Sequence, residues 1–155
     1  MAITENLVHE ETLPLFGFRG HCHCFEGPST QDFAAGAPTN IIQSDQPWSV
    51  VFHFSTQGLN NHIMAGKWQV QVLLEQMGGK EITLDPSFSQ TEIDFISRPS
   101  SYSATLQIPQ NKIPPGVYRV VGVLTFKGPL GVPGPIAAFA DMGLVQFYKE
   151  GPSTP

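Results

Sequence analysis

The chain has 155 residues, of which 41% are hydrophobic and 14% are charged, and its formal net charge is −5. Eleven Phe, three Tyr and two Trp exclude a disordered chain, and the length suits one domain with a single core. The eight basic residues form no run or stripe, and no apolar run approaches the ~18 residues of a membrane span, so we expect neither nucleic acid as a partner nor membrane insertion.

The N-terminus carries no basic start followed by an apolar stretch, so it predicts no secretory signal and a cytoplasmic protein. We expect a flexible segment at 1–13, one folded domain at 14–149 and a disordered tail at 150–155. The shortage of charged residues is typical of a surface that is partly covered by partners.

Apolar residues recur at every second position in much of the chain, which is the period of a half-buried β-strand. The clearest stretches are 16–25, 48–55, 67–75, 102–108, 117–126 and 137–148. A bulge is predicted near Gly143 in the last of these. Weaker strands are predicted at 39–42, 80–84 and 91–96.

Turn residues fill the gaps between these stretches, as in "MGGK" at 77–80 and "KGPLGVPGP" at 127–135. No segment keeps a helical period beyond one or two turns, although 30–37 is compatible with a single turn. Many short strands joined by turns predict an all-β, antiparallel β-sandwich of about 7–9 strands. A closed barrel is the alternative.

The run "YSATLQIPQNKIPPGVYRV" at 102–120 resembles the strand–corner–strand passage of immunoglobulin-like and fibronectin-like β-sandwiches. Tyr118 matches the tyrosine that begins the penultimate strand in that family, and its hydroxyl would bond to the backbone at the corner. Trp68 is similar to the core tryptophan of the third strand. The resemblance covers about residues 39–148 and implies an immunoglobulin-like sandwich. The family's inter-sheet disulfide is missing, with Val120 at one cysteine position, which fits a reducing compartment.

Both cysteines of the chain lie in the stretch "HCHC" at 21–24. Alternation puts Cys22 and Cys24 on one face of a strand, with Cα atoms roughly 6.5–7 Å apart. That distance is at or beyond the comfortable limit for a disulfide, so we expect free thiols packed in the core. A Cys-x-Cys site for a soft metal and an intermolecular disulfide are the alternatives.

The opposite face of the same strand carries His21 and His23, and His53 lies on the outward face of another strand. A His-x-His strand with a third histidine on its neighbour can hold zinc and leave one position open. These three histidines are therefore a candidate centre for zinc or another transition metal in a metal-dependent enzyme. The acidic group within 85–94 is a weaker candidate for calcium, against a solvated edge.

Two loops between core strands carry apolar side chains at positions where loops are ordinarily polar. In an immunoglobulin-like topology the loops 58–66 and 128–137 would lie at one end of the sandwich, where they predict a surface for a protein partner or a second copy. Folding back over the sandwich end is the alternative. The candidate contact residues are Leu59, Ile63, Met64, Leu130, Val132 and Ile136.

No nucleophile elbow, dinucleotide-binding loop or phosphate-binding loop occurs in the sequence. We therefore interpret the chain as a non-enzymatic binding or assembly module, self-association included, that needs no cofactor. One alternative is a protein or enzyme that takes a small hydrophobic ligand in a pocket of the sandwich, which the aromatic content permits. The other is the metal-dependent enzyme with the three histidines.

Overall fold

Residues with period-two alternation form the strands of a computed structural model, which describes residues 5–11, 13–26, 40–79 and 81–149. Within these ranges there are ten strands, a 3₁₀ helix at Leu59–Ile63 and one α-helical turn, α1, at Pro86–Ser89. The strands are β1 (Leu7–Glu11), β2 (Gly17–Glu26), β3 (Ile41–Gln43), β4 (Trp48–Gln57), β5 (Lys67–Gln76), β6 (Glu81–Ile82), β7 (Gln90–Asp94), β8 (Ser101–Ile108), β9 (Gly116–Lys127) and β10 (Pro133–Tyr148).

The strands are arranged in two separate sheets, which distinguishes a sandwich from a closed barrel. Sheet A has the order β1-β10-β9-β5-β6, with β7 also paired to β5. The short strand β3 is paired to β10 in parallel, while the other pairs are antiparallel. Sheet B has the order β2-β4-β8. The antiparallel β-sandwich predicted from the sequence is confirmed.

The core between the sheets is built around Trp68, whose side chain is fully buried. Its indole ring contacts six aromatic rings at centroid distances between 5.3 and 6.2 Å. These rings belong to Phe16, Phe18, Phe54, Phe95, Tyr102 and Phe126. Because aromatic side chains bury the largest apolar areas, this cluster dominates the stability of the sandwich.

The N-terminal segment 1–13, expected to be flexible, contains β1, which is paired with β10 at the edge of sheet A. The side chain of Asn6 also bonds the edge of sheet B: its amide donates to the carbonyl oxygen of Cys22 and its oxygen accepts from the Cys22 amide, both at 2.8 Å. β1 and Asn6 therefore cover strand edges that would otherwise be open, a common protection against edge-to-edge aggregation. Such long-range pairing leaves no local pattern in the sequence.

Several finer predictions are also confirmed. The register of β10 against β9 shifts between Asp141 and Leu144, and Gly143 has a φ of 80°, so the predicted bulge is present. The short strands β3, β6 and β7 lie where the sequence predicted weaker strands, at 39–42, 80–84 and 91–96. The single turn expected at 30–37 and the tail at 150–155 lie outside the described residues. No helix in the described part of the chain is long and apolar enough to cross a membrane.

Candidate functional site

Four connections meet at one end of the sandwich: 13–16, 58–66, 95–100 and 128–132. In sheet B the register pairs Gly17 with Gln57, and in sheet A it pairs Lys67 with both Asp94 and Lys127. The loops 58–66 and 128–137 therefore both reach this end. We call it the apolar end, because of the exposed side chains of Leu59, Ile63, Leu130 and Val132.

Two glycines fix the loop 58–66 against its neighbours. Gly66 has a φ of 144°, and a Cβ atom there would lie 2.0 Å from the carbonyl oxygen of Lys127. Gly58 has a φ of 103°, and a Cβ atom there would lie 2.3 Å from the carbonyl oxygen of Leu15. Only glycine allows both the positive φ and the close backbone approach. The loop is consequently held against the ends of both sheets.

Hydrogen bonds order the 3₁₀ helix within this loop. The Asn60 amide N–H donates to the carbonyl oxygen of Leu15 at 3.0 Å, and the Asn61 side-chain amide donates to the carbonyl oxygen of Gly58 at 2.9 Å. The hydroxyl of Ser97 donates to the carbonyl oxygen of Met64 at 2.7 Å. Because these bonds satisfy backbone groups of the loop, its apolar side chains are presented from an ordered backbone.

Four of the six candidate contact residues project into solvent. Leu59 is 71% exposed, Ile63 80%, Leu130 92% and Val132 63%, so these side chains do not fold back over the core. Met64 is half-buried and packs against the core. Ile136 is 1% exposed, because the alternation of β10 turns its side chain inward. We therefore leave Ile136 out of the apolar end.

Two further apolar residues at this end were missed in the sequence. Leu15 is exposed in the turn before β2 and has a φ of 53°, and Ile96 is exposed just after β7. The sequence signal that could have identified Leu15 is an apolar residue directly after Pro14 in a turn.

A cavity of about 390 Å³ lies beside the loop that carries Leu130. Lys127 and Glu92 in the wall of this cavity form an ion pair of 3.2 Å.

The three histidines of the candidate metal centre are brought together on the outer face of sheet B. His21 on β2 is directly opposite His53 on β4, with ring centroids 5.7 Å apart, and the rings of His21 and His23 are 5.6 Å apart. The pKa of His21 is lowered to about 4, first by burial and then by the charges of His23 and His53. The hydroxyl oxygen of Ser103 lies 3.3 Å from Nε2 of His53.

The three histidine rings are tilted with respect to one another. The His21 ring is inclined by 34° to that of His23 and by 29° to that of His53. In the part of the chain that the structure describes, no group of three metal-ligating side chains is arranged to hold an ion. The zinc hypothesis stays a prediction, which metal analysis of protein purified without a His tag tests.

Cys22 and Cys24 are free, buried and on the same face of β2, so the prediction of core packing is confirmed. Their sulfur atoms lie 3.7 and 3.5 Å from the sulfur of Met142 at the bulge of β10. Burial raises the pKa of Cys22 well above its ordinary value and that of Cys24 to about 12. Metals and oxidants react with the thiolate form of cysteine, so the raised pKa values disfavour metal binding and oxidation at Cys22 and Cys24.

The alternative of a hydrophobic ligand inside the sandwich requires space between the sheets. The aromatic rings around Trp68 are in mutual contact in that space. Three cavities along the described residues lie at the surface, one at the apolar end, one along β5 and β7, and one beside His21. The hydrophobic-ligand alternative stays a prediction.

No protein-family model and no curated protein matches the chain in sequence. Among solved structures, the fold is similar to that of the C-terminal domain of Wzt, with a TM-score of 0.58, 11% sequence identity, and coverage of 94% of this chain and 79% of that chain. It is also similar to the CARDB domain of a Pyrococcus furiosus protein in complex with di-metal ions, with a TM-score of 0.46, 10% identity, and coverage of 90% and 99%. At this identity the likeness to the Wzt domain shows the fold alone, an immunoglobulin-like β-sandwich, as predicted from the sequence.

Proposed function

We propose that this protein is a non-enzymatic binding or assembly module whose apolar end contacts another protein, a second copy of the chain included. The observation that carries the proposal is the exposure of Leu59, Ile63, Leu130 and Val132 on loops whose backbone is ordered. Scattered single apolar residues on a surface need no explanation, but a group at one end indicates a contact surface.

The loops of the apolar end are restricted before any partner binds. Pro129 and Pro133 restrict the second loop, and the hydrogen bonds of Asn60 and Asn61 order the first. Because ordering a loop on association costs free energy, this restriction lowers the cost of binding a partner.

Site-specific photocrosslinking in the source cell identifies the partner. A photoreactive residue at Leu130 is compared with one at Gln110, an exposed residue in the turn between β8 and β9 at the opposite end. We expect a crosslinked product of defined mass from position 130 and none from position 110. Equal products from both positions, or none from position 130, would contradict the proposal.

The partner, identified by mass spectrometry, is then purified and its affinity is measured directly. Ile63→Asp replaces an exposed apolar side chain of the apolar end with a charge, and we expect it to weaken binding of the partner by about tenfold or more. Asn111→Asp, in the same turn as Gln110, is the matched control and is expected to leave the dissociation constant unchanged. An affinity that Ile63→Asp does not change would exclude the apolar end as the contact surface.

A further inference from the structure

The outer face of sheet A carries apolar side chains where a solvated antiparallel sheet normally carries polar ones. Val123 on β9 is in register with Phe139 on β10, and Phe139 is in register with Val8 on β1. One row further, Val121 on β9 is in register with Leu73 on β5. We call these five residues the outer patch; they form a continuous apolar band across four strands.

The outer patch is accessible on the isolated chain. Val8 is 54% exposed and Leu73 41%, while Val121, Val123 and Phe139 are partly exposed between their neighbours in the sheet. Their strand neighbours on the buried face belong to the core, so β9 within 120–124 and β10 within 136–140 are apolar on both faces. Strands that are apolar on both faces are typical of sheets covered on both sides.

The charges around the patch suit a copy of the same surface. Arg119 and Asp141 at its margin form an ion pair of 3.4 Å, and Arg119 is in register with Glu75 on β5. Gln71 and Thr125, which adjoin Val123, are uncharged. Two copies of this face can therefore approach each other without bringing like charges together at the centre, which is a condition for self-association.

The area of the face also matches a dimer. The face of sheet A formed by β1, β10, β9, β5 and β7 is about 24 Å wide, because neighbouring strands are about 4.8 Å apart. Its average length is about 30 Å, because these strands have roughly nine residues on average and each residue adds about 3.3 Å. The resulting area of about 700 Å² is close to the roughly 800 Å² that each partner buries in a standard protein–protein interface. The face is thus large enough for a stable homodimer.

We infer that the outer patch is a homodimer interface, in which sheet A of one copy stacks on sheet A of a second copy about a twofold axis. Stacked sheets lie about 10 Å apart, and their side chains interdigitate as they do in a sandwich core. Because a twofold interface uses the same patch on both copies, each residue of the band meets the partner's band. This interface is distinct from the apolar end, which stays free in each copy of the dimer.

The test measures the mass of the full chain by native mass spectrometry and by sedimentation over a wide range of protein concentrations. We expect a dimer that Val123→Glu converts to a monomer, because two buried carboxylates would face each other. Gln71→Glu is nearly isosteric and is expected to weaken the dimer by about tenfold or more through like-charge repulsion. Its matched control is Gln110→Glu, the same change outside the patch, which is expected to have no effect.

Circular dichroism and thermal unfolding establish that each variant keeps the folded sandwich. Leu130→Glu, which alters only the apolar end, separates this inference from the proposed function and is expected to leave the dimer intact. A wild-type monomer at all concentrations would overturn the inference, as would a dimer that both Val123→Glu and Gln71→Glu leave unchanged. A dimer lost only with Leu130→Glu would assign self-association to the apolar end and exclude the outer patch.

Discussion

The hydroxyl of Tyr118 donates a hydrogen bond to the carbonyl oxygen of Pro114, four residues earlier, at 2.7 Å. Pro114 lies in the turn between β8 and β9, so the bond fixes the path of the chain where it crosses from sheet B to sheet A. The ring of Tyr118 is fully buried and packs edge-on against Phe147 at 5.6 Å. A single side chain therefore holds the corner and fills the core. This is the contact that the resemblance to immunoglobulin-like sandwiches implied.

Tyr118→Phe is expected to lower the free energy of unfolding by about 1 kcal/mol, because it removes this hydrogen bond and keeps the ring. The matched control is Tyr148→Phe near the end of β10, where the side chain is exposed and the change is expected to be small. Urea denaturation of both variants measures the difference. Equal free energies of unfolding for Tyr118→Phe and the wild type would show that the corner bond does not stabilise the fold.

The thiols of Cys22 and Cys24 are expected to resist alkylation in the folded protein at neutral pH, because burial raises the pKa of both groups. The measurement is a count of modified thiols by mass spectrometry after brief treatment with iodoacetamide. In denaturant both thiols should react at the rate of an ordinary cysteine, which serves as the control. Rapid modification of the folded protein would place one thiol at the surface and contradict the packing against Met142.

Gly66→Ala is expected to destabilise the protein by more than about 2 kcal/mol, because it adds a steric overlap with the Lys127 carbonyl to an unfavourable φ. Gly78→Ala is the matched control: Gly78 has a φ of 73°, but a Cβ atom there would meet nothing within 4 Å. Its cost is expected to be about 1 kcal/mol. Chemical denaturation of the two variants gives both values, and equal costs would show that Gly66 does not lie against Lys127.

The parts of the fold that follow from local alternation were predictable, and those that depend on pairing were not. The period of two in 48–55 and 67–75 is enough to assign β4 and β5 and their buried faces. The opposite faces of Cys22 and His21 follow from the same rule. The strand β1 was missed because Asn6 and its neighbours gain their partners from strands that are distant in the chain.

The same distinction applies to the candidate surfaces: residues whose exposure follows from local sequence were predictable, and those that are brought together by pairing of distant strands were not. Loop position and residue type were enough to predict exposure for Leu59 and Leu130, because both lie between strands. Ile136 has the same apolar character, but it belongs to β10, which starts at Pro133, four residues before the predicted start at 137. The outer patch could not be predicted, since it exists only when the register brings Val8 beside Phe139.

His21 is expected to make the protein less stable in acid. Its pKa is lowered from 6.5 to about 4 by burial and by His23 and His53, with Glu5 acting in the opposite direction. The folded state therefore binds a proton at His21 more weakly than the unfolded chain does. The stabilisation from this group is fully present above about pH 6.5 and is lost as the pH falls through about 4.

His21→Gln removes this proton linkage, so its free energy of unfolding is expected to fall less than that of the wild type between about pH 7 and pH 4.5. His62→Gln, at an exposed position of the 3₁₀ helix, is the matched control and should follow the wild type. Urea denaturation at both pH values gives the comparison, and NMR titration of the His21 ring gives its pKa directly. A titration midpoint near 6.5, together with parallel acid losses in His21→Gln and the wild type, would contradict the burial of this ring beside His53.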